Sequence, residues 1–340
     1  MIKRLAKMAC RVPGAVAVAR AASRRRPIIL MYHGVTANPD IVDWTQVAVD
    51  DFEDQMDHLR RNYQPVSLTD LVGMLQSGRI EPHAVAVTFD DGYKSNHDLA
   101  YPILKEMGIP ATIFVTSGFV TGAGLTNSLL WPDFVTAVVL SLPGQSLDWR
   151  RLDLGQWDLS SLRTRYAART GICEQLKSMP DKERKRLIGE LDQEYGGYID
   201  QERFPDYRPM SPAEVRNLAA NDLITIGAHT RTHPILSRLD GSELAGEIVG
   251  GKEDLETMTG KTVNHFAYPN GRRQDISRET LDLVAANFAC AVTTETGVNL
   301  QGHNKYLLRR VGIGRNLSPT QFAILLSGAY FVFQKAVYEL

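Results

Sequence analysis

Two acidic residues stand side by side in the stretch TFDDGY at residues 88–93, directly after a run of apolar residues. The apolar run predicts a buried strand, and Gly92 permits a tight turn after it. Because successive side chains diverge at a strand end, Asp90 and Asp91 cannot share one role. One carboxylate could bind a metal ion while the other accepts a proton from a reacting water, although a helix-capping Asp-Gly turn is an alternative explanation.

A pair of histidines follows a later apolar run, in the stretch GAHTRTHP at residues 227–234. His229 and His233 are four residues apart, so a helical turn would place both imidazoles on one face. A carboxylate with two imidazoles is a common ligand set for zinc-like ions and leaves a position open for water. The pair therefore predicts a metal site, with two surface or capping histidines as the alternative.

Two further motifs lie beside apolar runs. His33 follows the run IILMY, where it would point to the same edge of a parallel sheet, although a core or loop histidine fits the pattern equally well. In the stretch HFAYPNG at residues 265–271, Asn270 and Gly271 predict a turn whose backbone N–H could stabilise an oxyanion. Taken alone, this motif is simply a turn. His265 begins its strand and is therefore assigned to the opposite end of the sheet.

The elements that must position these residues alternate between strand and helix. Helix starts are marked by capping boxes at Ser211–Glu214 and Ser318–Gln321, by Ser67, and by Asn96 or Asp98. Repeated βα units predict a parallel sheet with right-handed crossovers, open or closed into a barrel. Seven runs rich in β-branched and aromatic residues predict its buried strands: Ile28–His33, Val85–Phe89, Ala111–Thr116, Leu223–Gly227, His265–Tyr268, Phe288–Thr293 and Leu307–Ile313.

One long stretch interrupts this alternation. Residues from about 122 to 210 contain no clear buried strand but carry many charges and a helical run over 163–195. So long a departure from a βα series is typical of an insertion over one rim of a barrel rather than of a second catalytic domain.

Composition excludes several classes of protein. The chain has 340 residues, 44% of them apolar and 23% charged, with a net charge of −1. These values are ordinary for a globular protein and argue against a general nucleic-acid binder, which needs many phosphate-neutralising Lys and Arg residues. The three cysteines are far apart and form no CxxC pair, so neither a disulfide framework nor a thiolate zinc site is expected.

The charge is unevenly distributed along the chain. Residues 1–26 contain eight basic and no acidic residues. We interpret this segment, Lys3 to Arg26, as a basic arm on an anionic membrane surface, with a disordered tail or a cleaved secretory signal as alternatives. The apolar run Phe322–Phe333 is too short to span a bilayer and predicts a last core helix or an interfacial one.

The motifs FDDG, HxxxHP and FAYPNG occur in this order, each at a predicted strand. Together they resemble the motifs of the polysaccharide deacetylase family (carbohydrate esterase family 4, with the NodB-homology domain), which includes chitooligosaccharide and exopolysaccharide N-deacetylases. The resemblance runs from about residue 27 to residue 315, apart from the insertion. It implies an incomplete (β/α)7 barrel of parallel strands, which agrees with the seven strands predicted above.

The resemblance also implies roles for individual residues. Asp91, His229 and His233 would bind one divalent metal ion, usually Zn²⁺, and Asp90 would be the catalytic base. The remaining stretch would line the site, with a backbone N–H in the oxyanion hole, and consists of Tyr268, Pro269, Asn270 and Gly271.

The chain departs from the family pattern at two positions. The usual catalytic acid is a His in a late Leu-x-x-His motif, but this chain reads LLRR at residues 307–310. It resembles instead the exopolysaccharide deacetylase branch, in which an early Tyr-His motif supplies the acid, and His33 fits that position. The Arg that normally tethers the base is absent from the third motif, which reads VNHF at residues 263–266, and Arg310 is the candidate substitute.

We therefore expect a metal-dependent hydrolase that removes N-acetyl groups from N-acetylglucosamine units of an oligo- or polysaccharide and releases acetate. A barrel hydrolase acting on a small non-sugar amide or an O-acetyl ester is one alternative. A non-catalytic carbohydrate-binding or membrane-scaffold protein is another, but Asp90 argues against it because a binding module needs no base beside a metal site.

The expected organisation has three parts: a basic arm at 1–26, the barrel at 27–315, and an apolar C-terminal helix at 316–340. We expect a cytoplasmic protein with peripheral contact to the inner membrane through its termini, unless the N-terminal segment directs export.

Overall fold

Seven parallel strands form a closed barrel. They are β1 Ile28–Tyr32, β2 Ala84–Phe89, β3 Ala111–Val115, β4 Ile224–Ala228, β5 His265–Ala267, β6 Cys290–Thr296 and β7 Leu308–Gly312. The strands follow one another around the ring in chain order, and β7 pairs with β1 to close it. The expected (β/α)7 barrel is confirmed. The computed structural model describes residues 14–38, 43–123, 126, 128–315 and 317–328.

Every residue of β1, β2 and β3 is buried. A strand that packs on the barrel core inside and on helices outside reads as a continuous apolar run, which is why the sequence reveals these strands. Three shorter pairings accompany the ring. Gln64–Pro65 pairs beside the start of β2, Gly34–Thr36 pairs with Gln46–Ala48, and Ser146–Asp148 pairs with Gln156–Asp158.

Helices surround the strands and form most of the insertion. Their bounds are α1 Ala15–Ala22, α2 Val49–Asn62, α3 Leu68–Ser77, α4 Tyr101–Met107, α5 Ser117–Thr121, α6 Trp131–Ser141, α7 Leu162–Ser178, α8 Asp181–Tyr195, α9 Pro212–Ala219, α10 Gly241–Thr259, α11 Arg278–Asn287 and α12 Pro319–Leu326. The predicted caps at Ser67, Ser211 and Ser318 are confirmed, since each hydroxyl accepts a hydrogen bond from a backbone N–H in the first turn.

The helix start predicted at Asn96 or Asp98 is wrong. Residues Asn96–Ala100 form a π-helical turn, and α4 begins at Tyr101. The Asn96 side-chain amide instead donates a hydrogen bond of 2.7 Å to the His33 carbonyl oxygen. Because the Asn96 side chain binds the residue that follows β1, it does not cap its own helix. The same contact holds the backbone at His33.

The insertion between α5 and α9 is mainly helical, as predicted. The helical run over 163–195 is two helices rather than one, because α7 ends where Met179 and Pro180 adopt extended backbone. The insertion also has a hydrophobic core of its own, to which α6, α7 and α8 all contribute. Its strand pair, Ser146–Asp148 with Gln156–Asp158, is too short and too exposed to give a recognisable sequence pattern.

Helices α1 and α12, the first and last described helices, contact each other near the end of the barrel at which β1 begins. Helix α12 carries the first part of the predicted apolar run as a core helix, with Phe322 and Leu325 buried. The Ser23 hydroxyl, just after α1, donates to the Ser327 carbonyl oxygen at 2.6 Å. Residues 1–13 and 329–340, and with them much of both predicted terminal segments, lie outside the described residues. No helix within the described ranges is long and apolar enough to cross a membrane.

The separate core of the insertion predicts a stability effect. Phe134 is fully buried in that core, so we expect Phe134→Ala to lower the free energy of unfolding by about 3–5 kcal/mol in urea denaturation. Leu162 is 48% exposed, and Leu162→Ala serves as the matched control, with an expected change of less than about 1 kcal/mol. Equal effects of the two substitutions would show that the insertion does not depend on this core.

Candidate active site

Asp90 and Asp91 lie in the turn that leaves β2 at the C-terminal rim of the barrel. The Asp90 N–H donates to the Tyr32 carbonyl oxygen at 3.0 Å, which extends the pairing of β1 and β2 by one residue. Asp91 then adopts a left-handed conformation with a φ of 76°, and Gly92 follows with a φ of 96°. The tight turn directs the two carboxylates to different partners, as expected for adjacent residues at a strand end.

His229 and His233 meet at the same rim, but not through a helix. Thr230 and His233 have left-handed φ values of 65° and 58° in an irregular loop after β4. The prediction that a helical turn brings the two imidazoles together is therefore wrong. The loop curls tightly enough to place the two ring centroids 5.0 Å apart.

A buried carboxylate on α10 holds this histidine loop. Glu247 accepts hydrogen bonds from the backbone N–H groups of Arg231 and Thr232 at 2.9 Å and 2.8 Å. It also accepts one from the Thr232 hydroxyl at 2.5 Å. From the insertion, the Trp131 indole N–H donates to the His233 carbonyl oxygen at 3.1 Å. Sequence reasoning misses both supports, because neither residue lies near a motif along the chain.

Three side chains direct their donor atoms toward one point. The Nε2 atoms of His229 and His233 lie 3.4 Å and 3.3 Å from Asp91 Oδ1, and ligand atoms from all three residues lie within 4.8 Å of one another. Asp91 Oδ1 is buried and forms no hydrogen bond with any of the described residues. A buried carboxylate oxygen that faces two imidazole nitrogens fits a divalent cation, which would supply the missing positive charge.

The protonation states of these residues also fit a cation. His229 Nδ1 lies 2.7 Å from the Ala267 carbonyl oxygen; because a carbonyl only accepts, Nδ1 carries the hydrogen and Nε2 is free to bind. Burial lowers the pKa of His233 to about 3, so its ring is neutral. Burial opposes ionisation of Asp91, but the nearby imidazoles lower its pKa below the usual value. Burial also lowers the pKa of His229, but Asp91 and Asp90 raise it overall, because two nearby carboxylates stabilise a positive charge on the ring.

Asp90 forms a bidentate ion pair with Arg310 inside the barrel. The two terminal nitrogens of Arg310 lie 2.7 Å from Oδ1 and 2.6 Å from Oδ2 of Asp90, and Arg310 is fully buried. Arg310 Nε donates to the Thr293 carbonyl oxygen, and one terminal nitrogen donates to the Thr88 hydroxyl. Burial would raise the pKa of Asp90, but the guanidinium more than offsets it and lowers this pKa. Arg310 thus occupies the tethering position that the third motif leaves empty.

His33 opens into the same cavity as the two carboxylates. Its backbone is held by Asn96, as described above, and its ring contacts the Trp44 ring edge-on with centroids 5.3 Å apart. His33 lines the cavity together with Asp90, Asp91 and the two histidines of the β4 loop. The structure therefore places His33 at the barrel rim, as predicted.

The third motif contributes less to the site than predicted. Among Tyr268, Pro269, Asn270 and Gly271, the cavity wall includes Asn270. Tyr268 is buried in the core, where its hydroxyl donates to the Tyr306 carbonyl oxygen at 3.0 Å. The backbone N–H groups of Tyr268 and Gly271 donate to carbonyl oxygens of Val292 and Pro269, so neither is free to stabilise an oxyanion. The expectation that the whole stretch lines the site is wrong, because Tyr268, like Phe266, faces the hydrophobic layer between the strands and the helices.

The insertion supplies one wall of this cavity, which has a volume of about 540 Å³. Trp131 and Asp133 come from α6, and one face of α7 contributes Arg169 and Lys177. The Tyr93 hydroxyl donates to Asp133 at 2.8 Å, and burial raises the pKa of Asp133 well above its usual value. No motif marks these residues, because their contribution depends on how the insertion folds over the rim.

Comparison with known proteins agrees with this geometry. Residues 77–140 and 187–288 match the sequence model of a family described as polysaccharide deacetylase. The chain is also 38% identical over 89 residues to "Putative polysaccharide deacetylase YxkH" of Bacillus subtilis (strain 168). That match covers 26% of this chain and spans only 30% of the length of YxkH.

Two solved structures share the fold over nearly the whole chain. The Streptococcus pyogenes deacetylase PplD, solved in complex with acetate, is similar with a TM-score of 0.58 and 18% identity, covering 89% of this chain and 99% of PplD. IcaB from Ammonifex degensii is similar with a TM-score of 0.54 and 19% identity, covering 90% of this chain and 97% of IcaB. The family match includes both the FDDG and the HxxxHP motif, which lie together at the barrel rim. The chain belongs to the polysaccharide deacetylase family.

Proposed function

We propose that this protein is a metal-dependent deacetylase that hydrolyses N-acetyl groups on N-acetylglucosamine units of an oligo- or polysaccharide. The observation that carries this proposal is the juxtaposition of two different sites at one rim. Asp91, His229 and His233 form a candidate metal site, and Asp90, an ionised carboxylate, lies beside it in the same cavity. Amide hydrolysis needs both, because an amide carbonyl is a weak electrophile and water is a weak nucleophile.

Asp91, His229 and His233 would hold the ion, for which Zn²⁺ is the best match to one oxygen and two nitrogen donors. When bound, such an ion polarises the acetyl carbonyl and lowers the pKa of an attacking water toward about 7. The hydrogen bond from His229 Nδ1 to the Ala267 carbonyl oxygen keeps that imidazole in the orientation and tautomer that binding requires.

Asp90 takes the proton from the attacking water. Arg310 keeps the Asp90 carboxylate ionised and fixes its plane through two hydrogen bonds. Each carboxylate oxygen has a second lone pair, so Asp90 can still accept a proton from water on the cavity side. Arg310 is therefore a positioning residue in this proposal.

His33 donates a proton to the departing amine. The leaving group needs this proton, because an amide anion is a very poor leaving group. Imidazole is the side chain best suited to proton transfer near neutral pH, and His33 lines the cavity beside both aspartates. The contact with Trp44 limits the rotation of the ring.

The cavity favours a sugar substrate over a small amide. Its volume of about 540 Å³ exceeds the space that an acetamide group needs, and Trp44, which is 50% exposed at the cavity, offers an aromatic surface against which a sugar ring can pack. The family to which the chain belongs supports the same substrate class.

The proposal is tested by acetate release from N-acetylglucosamine oligomers. We expect purified protein to release acetate, to lose this activity after treatment with a chelator, and to recover it when Zn²⁺ is added back. A panel that includes an O-acetylated sugar and a small non-sugar amide identifies the substrate class. Activity confined to the ester or to the small amide would overturn the proposal.

Metal content tests the ligand set directly. We expect elemental analysis to find about one divalent ion per chain and a large loss in His229→Ala. His97→Ala is the matched control, because His97 lies in a second His/Asp/Glu group with Asp98 and Glu214. There the Lys94 ammonium already pairs with both carboxylates, so this group needs no metal ion. Equal metal content in both variants would contradict the assignment.

Two variants separate the acid from the base. We expect His33→Ala to lower kcat for acetamide substrates by about 10²–10⁴ but to affect an activated phenyl acetate far less, because a phenolate leaves without protonation. Asp90→Asn should impair both substrates, since both require an activated water. Metal content should stay unchanged in both variants. If His33→Ala lowers kcat equally for the amide and the ester, His33 supports the structure or metal binding instead of donating a proton.

A further inference from the structure

The end of the barrel opposite the active site presents an apolar helix face beside a fixed group of arginines. On α1, the side chains of Ala17, Val18, Ala21 and Ala22 are exposed, and this spacing places them on one face. Val18 is 71% exposed. The other face of α1 is partly buried and is held in place by the contact between Ser23 and Ser327.

Three consecutive arginines follow this helix. Arg24, Arg25 and Arg26 are all exposed, and none forms an ion pair with a carboxylate within the described part of the chain. Their backbone is fixed at the start of the barrel, because the Arg24 carbonyl oxygen accepts a hydrogen bond from the His83 N–H just before β2. Exposed arginines without partners on ordered backbone are available to bind an external anion.

The segments that precede α1 and follow α12 along the chain have compositions that suit the same surface. Residues 1–13 add four basic and no acidic residues, and residues 329–340 are rich in aromatic and apolar residues. Basic residues beside an apolar helix face are typical of peripheral binding to a membrane with anionic lipids, in which apolar side chains enter the interface and arginines bind lipid phosphates. A nucleic acid or another soluble polyanion would engage the arginines but would have no use for the exposed Val18 face.

We infer that this surface, formed by α1 and Arg24–Arg26, docks the protein on an anionic lipid bilayer with the active site facing away from the membrane. The orientation follows from the barrel, since the arginines precede β1 while Asp90 and His33 follow the opposite ends of β2 and β1. This orientation has a consequence that rests on the proposed function. The enzyme acts on the part of a glycan that extends into the aqueous phase rather than on sugars at the lipid headgroups.

Vesicle co-sedimentation of the full chain tests the docking surface. We expect binding to vesicles that contain phosphatidylglycerol and little binding to pure phosphatidylcholine. The combined variant Arg24→Gln, Arg25→Gln and Arg26→Gln should bind roughly 100-fold more weakly. The matched control is Arg150→Gln, Arg151→Gln and Arg278→Gln, which removes the same charge from exposed positions in the insertion and on α11 and should bind as the natural protein does. Equal binding of the two triple variants overturns the proposal.

A second variant separates a bilayer from a soluble polyanion. Val18→Asp places a charge on the exposed helix face, where circular dichroism should show the fold unchanged, and it should weaken vesicle binding at least tenfold. If the arginine variant loses binding while Val18→Asp does not, the surface is an electrostatic site for a polyanion and the membrane proposal is wrong.

Tryptophan fluorescence tests the orientation. Two of the native tryptophans, Trp44 and Trp131, line the active-site cavity, and the other two, Trp149 and Trp157, lie in the insertion. We expect brominated lipids to leave their fluorescence unchanged on binding but to quench the residue introduced by Val18→Trp. Quenching of the native tryptophans would overturn the orientation. These readouts do not involve catalysis. If the protein binds vesicles but releases no acetate, only the proposed function is contradicted.

Discussion

The buried ion pair between Arg310 and Asp90 is the interaction on which the arrangement of the site depends. An ionised carboxylate inside a barrel is unfavourable unless a positive charge compensates it, and removing one partner of such a pair typically costs about 3–5 kcal/mol. Arg310 projects from β7 and contacts residues of β6 and β2. Strand β7 therefore holds Asp90, which follows β2, and the barrel must close in this register for Asp90 to act as the proposed base.

The candidate metal site is built from strained backbone rather than from a regular element. Asp91 and His233 both have positive φ values, and so does Thr230 between the two histidines. Such conformations are sparsely populated for residues other than glycine, and they persist only where surrounding contacts hold them. Here Glu247 and Trp131 supply those contacts, one from the barrel helices and one from the insertion. The insertion thereby supports the site as well as covering it.

The division between barrel and insertion also separates reaction from recognition. The groups that would act on the acetyl group, Asp90, Asp91, His33 and the two histidines, all follow barrel strands. The insertion adds an aromatic ring and charged side chains to the cavity wall without adding a residue to the candidate metal site. In parallel barrels the rim loops can vary while the strands keep the reacting groups in place, so the choice of sugar chain is expected to reside in the insertion.

The sequence by itself determined the barrel and most of the reacting groups. Strands buried on both faces have continuous apolar runs, and the motifs lie at their ends, so seven strands and residues such as Asp90 and His229 are readable along the chain. Only the tertiary structure decided the side-chain directions and the contacts between residues that are far apart along the chain. It turned Tyr268 away from the site into the layer between the strands and the helices, and it used Asn96 to hold His33 instead of capping a helix. It also brought Arg310 to Asp90 from 220 residues away along the chain. That pair forms only where the folded barrel buries both charges together, which local sequence patterns do not encode.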